Sequence, residues 1–296
     1  MPNLKLSSSP NHLEESNIKE DFLVRFWGVR GLIPSPCSET IRYGGNTACV
    51  EVKVGGQYLI FDGGTGLRML GNSWTQCSQP IGAHLFFTNV QSNRIHGFPF
   101  FAPAFDGNHS FHIYGAAASN SASIKQSLYD QMLQPHFPYP LQVMEAKLNF
   151  HNFTPGYTVD LGDITVSTAL INQTQKSVGY RVDWQEYSIA YTTDIHELWD
   201  KGEEERIIQF IQGVDLLITN PSYPPPKFYK SDAGDLHYQT ALHLVKQAGV
   251  KQLVISHHHP SDRDDFLDRV QKDIKSSFPQ VVFAAEGMSL PVVVSL

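Results

Sequence analysis

Cysteine is scarce in this sequence. Cys37, Cys49 and Cys77 are odd in number and lack the paired spacing of a zinc-binding motif. That argues against a disulfide framework or a thiolate metal site, and reads as reduced thiols in a cytoplasmic protein. Long apolar runs are missing too: none approaches the ~18 residues of a membrane span, so no membrane-crossing segment is expected. The N-terminus lacks a secretory pattern, because Leu4-Lys-Leu6 is followed by serine, proline, asparagine and acidic residues. An excess of positive charge is also absent, the formal net charge being -7. Binding to phosphate backbones wants clustered Lys and Arg, so no broad nucleic-acid surface is expected.

What is present suits a globular α/β protein. The 296 residues are 41% hydrophobic and 17% charged, enough for a sizeable core. Thirteen histidines raise the weight of metal chemistry. Residues 1–20 are polar, with Ser7-Ser-Ser-Pro10 and Glu14-Glu-Ser16, and are expected to form a disordered tail. Residues 21–296 contain no linker and are expected to form one domain.

Alternating apolar residues predict strands over Phe22–Trp27 and Ala48–Val54, the second joined by Gly55-Gly56 to Gln57–Phe61. Asp62-Gly-Gly-Thr-Gly66 follows as a tight turn in which backbone can approach a ligand. Further strands are predicted at Leu85–Phe87, His109–Tyr114, Val143–Phe150, Thr158–Leu161 and Ile164–Leu170, then at Gly179–Asp183, Ser188–Thr192 and Val214–Thr219. Lys251–Ser256, Val281–Phe283 and Leu290–Leu296 complete the set. Helices are predicted over Ser123–Leu133, Leu198–Gln212, Thr240–Ala248 and Phe266–Phe278, the third ended by Gly249. The Pro-rich stretch Pro221–Pro226 reads as a surface loop over a cleft. Strand-rich segments with helices between the later strands fit a four-layer αβ/βα sandwich.

Several short stretches carry a family likeness. They are Phe26-Trp-Gly-Val-Arg-Gly31, Tyr43-Gly-Gly-Asn-Thr47, Phe61-Asp-Gly-Gly-Thr-Gly-Leu-Arg68 and His96-Gly-Phe-Pro-Phe-Phe101. Later come Gly179-Tyr-Arg181, Tyr191-Thr-Thr-Asp194, Gly234-Asp-Leu-His237 and Leu253-Val-Ile-Ser-His-His258. With these the chain resembles the metallo-β-lactamase fold, in a branch near the RNase Z and cyclic-nucleotide phosphodiesterase groups. The resemblance implies a four-layer sandwich and a two-metal hydrolytic site at one edge of the sheets. Such a site would use a metal-bound hydroxide on a phosphodiester.

The same resemblance marks where this chain departs. After Thr88 the family carries a His-x-His-x-Asp-His loop, and here its four ligand positions hold Asn89, Gln91, Asn93 and Arg94. A fifth ligand position falls at Gln173. The two retained positions are Asp194 and one histidine of His257-His258. Zinc wants imidazole and carboxylate donors, carboxamides are poor substitutes, and guanidinium offers no lone pair. These losses predict a non-catalytic protein without a metal cofactor, binding a small phosphorylated ligand or a protein partner; a homodimer is among the assemblies the resemblance implies. The alternative is a hydrolase working with zinc or manganese on Asp194 and His257 or His258, with His237 as proton donor.

Four further expectations concern the cleft. Arg94 is expected to pair with Asp194 in place of the metals, with Asn89, Gln91 or Gln173 completing the hydrogen bonds. The competing reading of Asp194 is an ordinary helix cap. His257–His259 are expected as an exposed cluster in the cleft. Arg30, Arg68 and Arg94 could together form an anion site. His96, two residues past Arg94, is rotated ~200° from it on a helix and is expected to face elsewhere.

Overall fold

The computed structural model describes residues 22–75, 79–195, 201–221 and 238–292. The expected tail, Cys77, His237 and all of the Pro-rich loop beyond Pro221 lie outside those residues. Two seven-stranded sheets form the framework, in the orders β14-β1-β2-β3-β4-β5-β6 and β13-β12-β11-β10-β9-β8-β7. The first contains β1 (Phe22–Gly28), β2 (Cys49–Val54), β3 (Gln57–Phe61), β4 (Gly82–Phe87), β5 (Ser110–Ala116), β6 (Lys147–Phe153) and β14 (Ser289–Pro291). The second contains β7 (Thr158–Leu161), β8 (Ile164–Asn172), β9 (Ser177–Trp184), β10 (Tyr187–Thr192), β11 (Leu216–Thr219), β12 (Gln252–Ile255) and β13 (Val281–Phe283). Each sheet is antiparallel on one side and parallel on the other. The parallel runs are β3 to β6 and β10 to β13.

The two sheets bury an apolar layer between them. Phe61, Phe86, Tyr180 and Tyr191 meet at its middle, with ring centroids 5.3–5.5 Å apart. Burying each such ring contributes about 1.5–3 kcal/mol, and together they form a stiff floor beneath the edge where the polar groups collect. Helices cover the outer faces, which gives the four layers expected. Helix α1 (Gly66–Trp74) and α2 (Ile124–Gln131) lie on the first sheet. Helices α3 (Lys201–Phe210), α4 (Gln239–Ala248) and α5 (Asp264–Lys275) lie on the second. Helix α5 shows why: Leu267, Val270 and Ile274 fall on one buried face. Asp264 and Asp265 begin it and Lys272 and Lys275 end it, matching the helix dipole. Helix α4 stops where Gly249 takes φ 64°, a left-handed conformation open to glycine. Among the described residues no helix is long and apolar enough to cross a membrane.

One predicted strand begins later than expected. Val143–Phe150 is preceded by a 3₁₀ turn, Leu141–Val143, and pairing starts only at Lys147. Leu141, Met144 and Ala146 turn into the outer core instead. An apolar run after Pro138 and Pro140 supports either geometry, and tertiary packing chooses. The C-terminal strand pairs over Ser289–Pro291, and the rest of the predicted Leu290–Leu296 strand lies beyond residue 292.

Candidate functional site

Consecutive strand ends converge on one edge. Asp62 follows β3, Thr88 and Asn89 follow β4, Asp194 lies past β10, Asn220 follows β11 and His257 lies past β12. All are carboxyl ends of parallel strands, the usual place for a ligand crevice in an α/β sheet. A single helical turn, Ser92–Ile95, carries Arg94 into this edge. The Gly63 N–H bonds the Arg94 carbonyl at 2.6 Å and the Gly97 N–H bonds the Gly63 carbonyl at 2.8 Å. A Cβ on Gly97 would collide with the Gly64 carbonyl, so glycine lets the two loops lie against each other.

Arg94 is the hub. Its side chain is only 2% exposed. Nη2 donates to Oδ1 of Asp194 at 2.7 Å, the pairing expected. Nη1 donates to Oδ2 of Asp62 at 3.0 Å, and also meets Nε2 of His257. One guanidinium is thus held between two carboxylates and an imidazole. Burial opposes its charge, but the attraction of Asp194 and Asp62 outweighs burial and holds its pKa above the ordinary value.

Each partner is fixed in turn. The Thr88 N–H and hydroxyl both donate to Oδ1 of Asp62 at 2.9 Å, and the Tyr191 hydroxyl donates to Oδ2 at 2.8 Å. Burial pushes the Asp62 carboxyl up, while Arg94, Thr88 and Tyr191 pull it back. On Asp194, Oδ2 accepts from Asn89 Nδ2 at 2.7 Å and from Ser177 Oγ at 2.8 Å. Asp194 is thus one partner of an ion pair with Arg94; residues 196–200, which the helix-cap reading of Asp194 concerns, lie outside the described residues. Burial first, then Arg94 and His258, pushes His257 well below its ordinary pKa. Its ring is therefore neutral, and Nε2 accepts from Arg94 Nη1; the Tyr191 hydroxyl, whose proton goes to Asp62, lies 3.1 Å from it.

Backbone conformation marks the same three residues. Asp62, Asp194 and His257 have φ of 62°, 64° and 57°. A left-handed φ in a non-glycine residue costs about 1–3 kcal/mol and persists only where surroundings enforce it. All three side chains meet the Arg94 guanidinium.

Several sequence expectations are corrected. Gln173 does not reach the cleft: it is exposed, and Gln175 stands there instead, accepting from Gln91 Nε2 at 3.3 Å. The β8–β9 turn explains the difference, since Asn172 is buried, accepts from the Gln175 N–H at 2.9 Å and donates to the Asp194 carbonyl at 2.9 Å. His257–His259 are not exposed; they are 5%, 0% and 3% accessible. His258 points away from the cleft, because the chain turns at His257, whose φ is 57°. Its Nε2 bonds the Ala284 carbonyl at 2.8 Å, and its ring lies between Tyr43 and Phe283. Burial, reinforced by Arg30, pushes His258 down to about 3. The three arginines form no joint anion site. Arg30 is buried and donates to the Gly44, His259 and Asp262 carbonyls, while Arg68 lines a separate pocket. His96 faces that separate pocket as well.

Above Arg94 lies a small cavity of about 120 Å³. Its wall includes Gly31, Gln91, Asn93, Gln175, Asn220 and His259, with Asp194 and His257 at its floor. Asn89 is turned out of it, because Nδ2 is taken by Asp194 and Ser177, and Oδ1 accepts from the Gln91 N–H at 2.9 Å. Pro221 reaches the rim. The sequence reading missed Asp62 as a partner of Arg94, along with Tyr191 and Ser177. A carboxylate directly after the apolar run Tyr58–Phe61 was the available signal for Asp62, because a buried carboxylate needs a counter-charge. Nothing local distinguished Ser177.

Residues 58–258 match the family described as the beta-lactamase superfamily domain. The chain belongs to the β-lactamase superfamily. No curated protein matches it. Among solved structures it is similar to the metallo-β-lactamase fold protein YhfI from Bacillus subtilis, at 19% identity and TM-score 0.62, with 91% of this chain and 98% of that one covered. A diphosphatase from the PhnP family matches at 14% identity and TM-score 0.62, over 91% and 97% of the two chains. Human tRNase Z, short form, matches at 16% identity and TM-score 0.62, over 92% and 100%. The fold is thus that of the metallo-β-lactamase superfamily.

The metals implied by that fold do not fit the residues present in this superfamily member. Zinc needs imidazole nitrogen or carboxylate oxygen at about 2.0–2.2 Å. Both oxygens of Asp194 already accept hydrogen bonds, and Nε2 of His257 meets Arg94 and Tyr191. A divalent ion beside Asp194 would also face a fixed guanidinium charge 2.7 Å from that carboxylate. Among the described residues no three His, Cys, Asp or Glu side chains gather closely enough to hold a metal ion. A chelator is therefore expected to leave the melting temperature unchanged, because the internal cation is covalently part of the chain. A fall of several degrees in EDTA would contradict this.

Proposed function

We propose that this superfamily member is a non-catalytic binding protein, in which Arg94 stands in for the metals of a hydrolase. The observation that carries the proposal is the guanidinium fork, with Nη2 on Asp194 at 2.7 Å and Nη1 on Asp62 at 3.0 Å. A hydrolytic site of this kind depends on metal to lower the pKa of water and to stabilise charge on the reacting oxygens. Arginine does the second in part and the first not at all. In this chain its charge is already committed to two buried carboxylates.

The charge balance also bears on what the cavity binds. One guanidinium faces two carboxylates, and the neutral His257 adds nothing. A phosphate group would meet net negative charge there. The wall of Gln91, Asn93, Gln175 and Asn220 instead offers paired amide donors and acceptors. That chemistry suits an uncharged polar group, such as the backbone amides of a protein partner. Working as a hydrolase on Asp194 and His257 would require Arg94 to leave both of them, against the hydrogen bonds that hold it.

Metal content and turnover test the proposal together. Protein purified without chelator is expected to hold zinc and manganese far below one ion per chain. Hydrolysis of bis(p-nitrophenyl) phosphate with added zinc or manganese should stay at the protein-free blank. Restoring a single position with Asn89→His should not rescue activity, since ligands of one site act as a unit. Stoichiometric metal, together with zinc-dependent turnover that Asp194→Asn abolishes, would overturn it.

A further inference from the structure

A second and larger pocket lies away from the Arg94 cavity and shares no wall residue with it. Its volume is about 650 Å³, within the roughly 300–1,000 Å³ of small-molecule sites. It forms between the start of α1, the loop after Arg94 and the segment after α2. Phe100 and Phe137 meet edge to face at 5.5 Å and 85°, and Pro99 adds a third apolar surface. Phe100 remains 54% exposed, which is unusual for a large aromatic ring already paired with another.

The ionisable groups at this pocket are all basic. Arg68, His96 and His136 line it together with the neutral Thr65 and Gln131, and among the described residues no carboxylate does. The Arg68 guanidinium makes a weak contact to Met69 Sδ at 3.8 Å. No ion pair involves Arg68 among the described residues. Its location is independently unfavourable. Arg68 is the third residue of α1, whose first turn contains no acidic side chain, so a cation sits at the positive end of the helix dipole. A cation held there without a counter-charge is relieved by an external anion.

We propose that this pocket binds a small aromatic carboxylate, its ring against Phe100 and Phe137 and its carboxylate on the Arg68 fork. Aromatic rings favour edge-to-face and offset contacts of the kind the two phenylalanines present. Arginine matches a carboxylate through two parallel N–H bonds, and His96 and His136 line the same pocket. The site is separate from the Arg94 cavity and does not depend on whether the chain is catalytic.

Calorimetric titration of the full chain with 2-naphthoate and with uncharged 2-naphthamide tests the proposal. The acid should bind saturably, and the amide about tenfold or more weakly, the loss of one charge-assisted contact. Arg68→Gln should bring the acid to the amide's affinity, and Phe100→Ala should weaken both ligands. Arg68→Gln should melt as the native protein does, because the exposed Arg68 supports little. Were that variant to misfold, the acid–amide comparison on the native chain would still decide. Absence of saturable binding, equal affinity for acid and amide, or undiminished binding by Arg68→Gln would overturn it. So would a dimer, dissolved by Phe100→Ala, that covers the pocket and leaves naphthoate unbound.

Discussion

Replacing Arg94 with alanine is expected to destabilise the fold by about 3–5 kcal/mol, the range for removing one partner of a buried ion pair. The cause is less the lost attraction than what remains. Asp62, fully buried, and Asp194, 12% exposed at its side chain, would face each other with no cation between them. Thr88, Tyr191, Asn89 and Ser177 would still donate to them, but neutral donors do not offset two charges in a low-dielectric site. Three left-handed residues would also lose the contacts that hold them. The loss should shrink when Arg94→Ala is made in an Asp62→Asn, Asp194→Asn background, because the stranded charges are then gone. Urea unfolding of the four proteins measures both effects. A loss near the ~0.5 kcal/mol of a neutral surface change, or the same loss in both backgrounds, would show that Arg94 is not the internal counter-ion.

Acid should unfold the protein through its histidines before its carboxylates are protonated. His257 and His258 are buried and held neutral, His258 down to about 3 and His257 well below its ordinary value. Both recover an ordinary imidazole pKa, near 6.5, when the chain unfolds. The unfolded state then binds more protons than the folded one, so their contribution is complete above pH ~6.5 and is lost as pH falls toward the folded values. His258 costs about 1.4 kcal/mol per pH unit across that window, so it removes about 2 kcal/mol between pH 6.5 and 5, and His257 adds a loss of the same sign. Half-buried His84, pushed down to about 4 by burial and by His112 and His151, acts in the same direction. Asp62, pushed up by burial, acts in the opposite sense, in the more acidic carboxylate range. Unfolding free energies at pH 7.5, 6.5, 5.5 and 4.5 would show the slope, and His258→Gln should reduce it. Constant stability from pH 7 to 5 would mean that these rings are not held neutral.

Much of the architecture was legible in local pattern. Apolar alternation located the strands, Gly249 ended α4, and Gly55-Gly56 turned β2 into β3. The failure at Val143–Phe150 arose because an apolar run after two prolines satisfies both a strand and a 3₁₀ turn. At the site, the identity of residues 89–94 already said that imidazole and carboxylate donors were missing. It also said that the one long cation among them could reach a carboxylate. Which side chains enter the cleft was not legible. His257 and His258 are adjacent and chemically alike, yet one faces Arg94 and the other Ala284. Gln175 had no signal in the sequence; the β8–β9 turn, with Asn172 buried in it, brings Gln175 and not Gln173 to the cleft.

By itself, then, the sequence determined the period of each segment and the residue types available to the site: strands, caps, and a loop at 89–94 with no histidine or acid in it. Those properties belong to single residues and near neighbours. Only tertiary structure decided that Arg94 would lie between Asp62 and Asp194, which are 32 and 100 residues away along the chain. Distances between such segments are set by how two sheets pack and by the side each strand presents. A one-residue change of parity turns a side chain from cleft to core. The left-handed turns at Asp62, Asp194 and His257 lie between these cases: Asp and His tolerate that conformation better than most residues, but that all three meet at Arg94 is decided by the packing of distant segments.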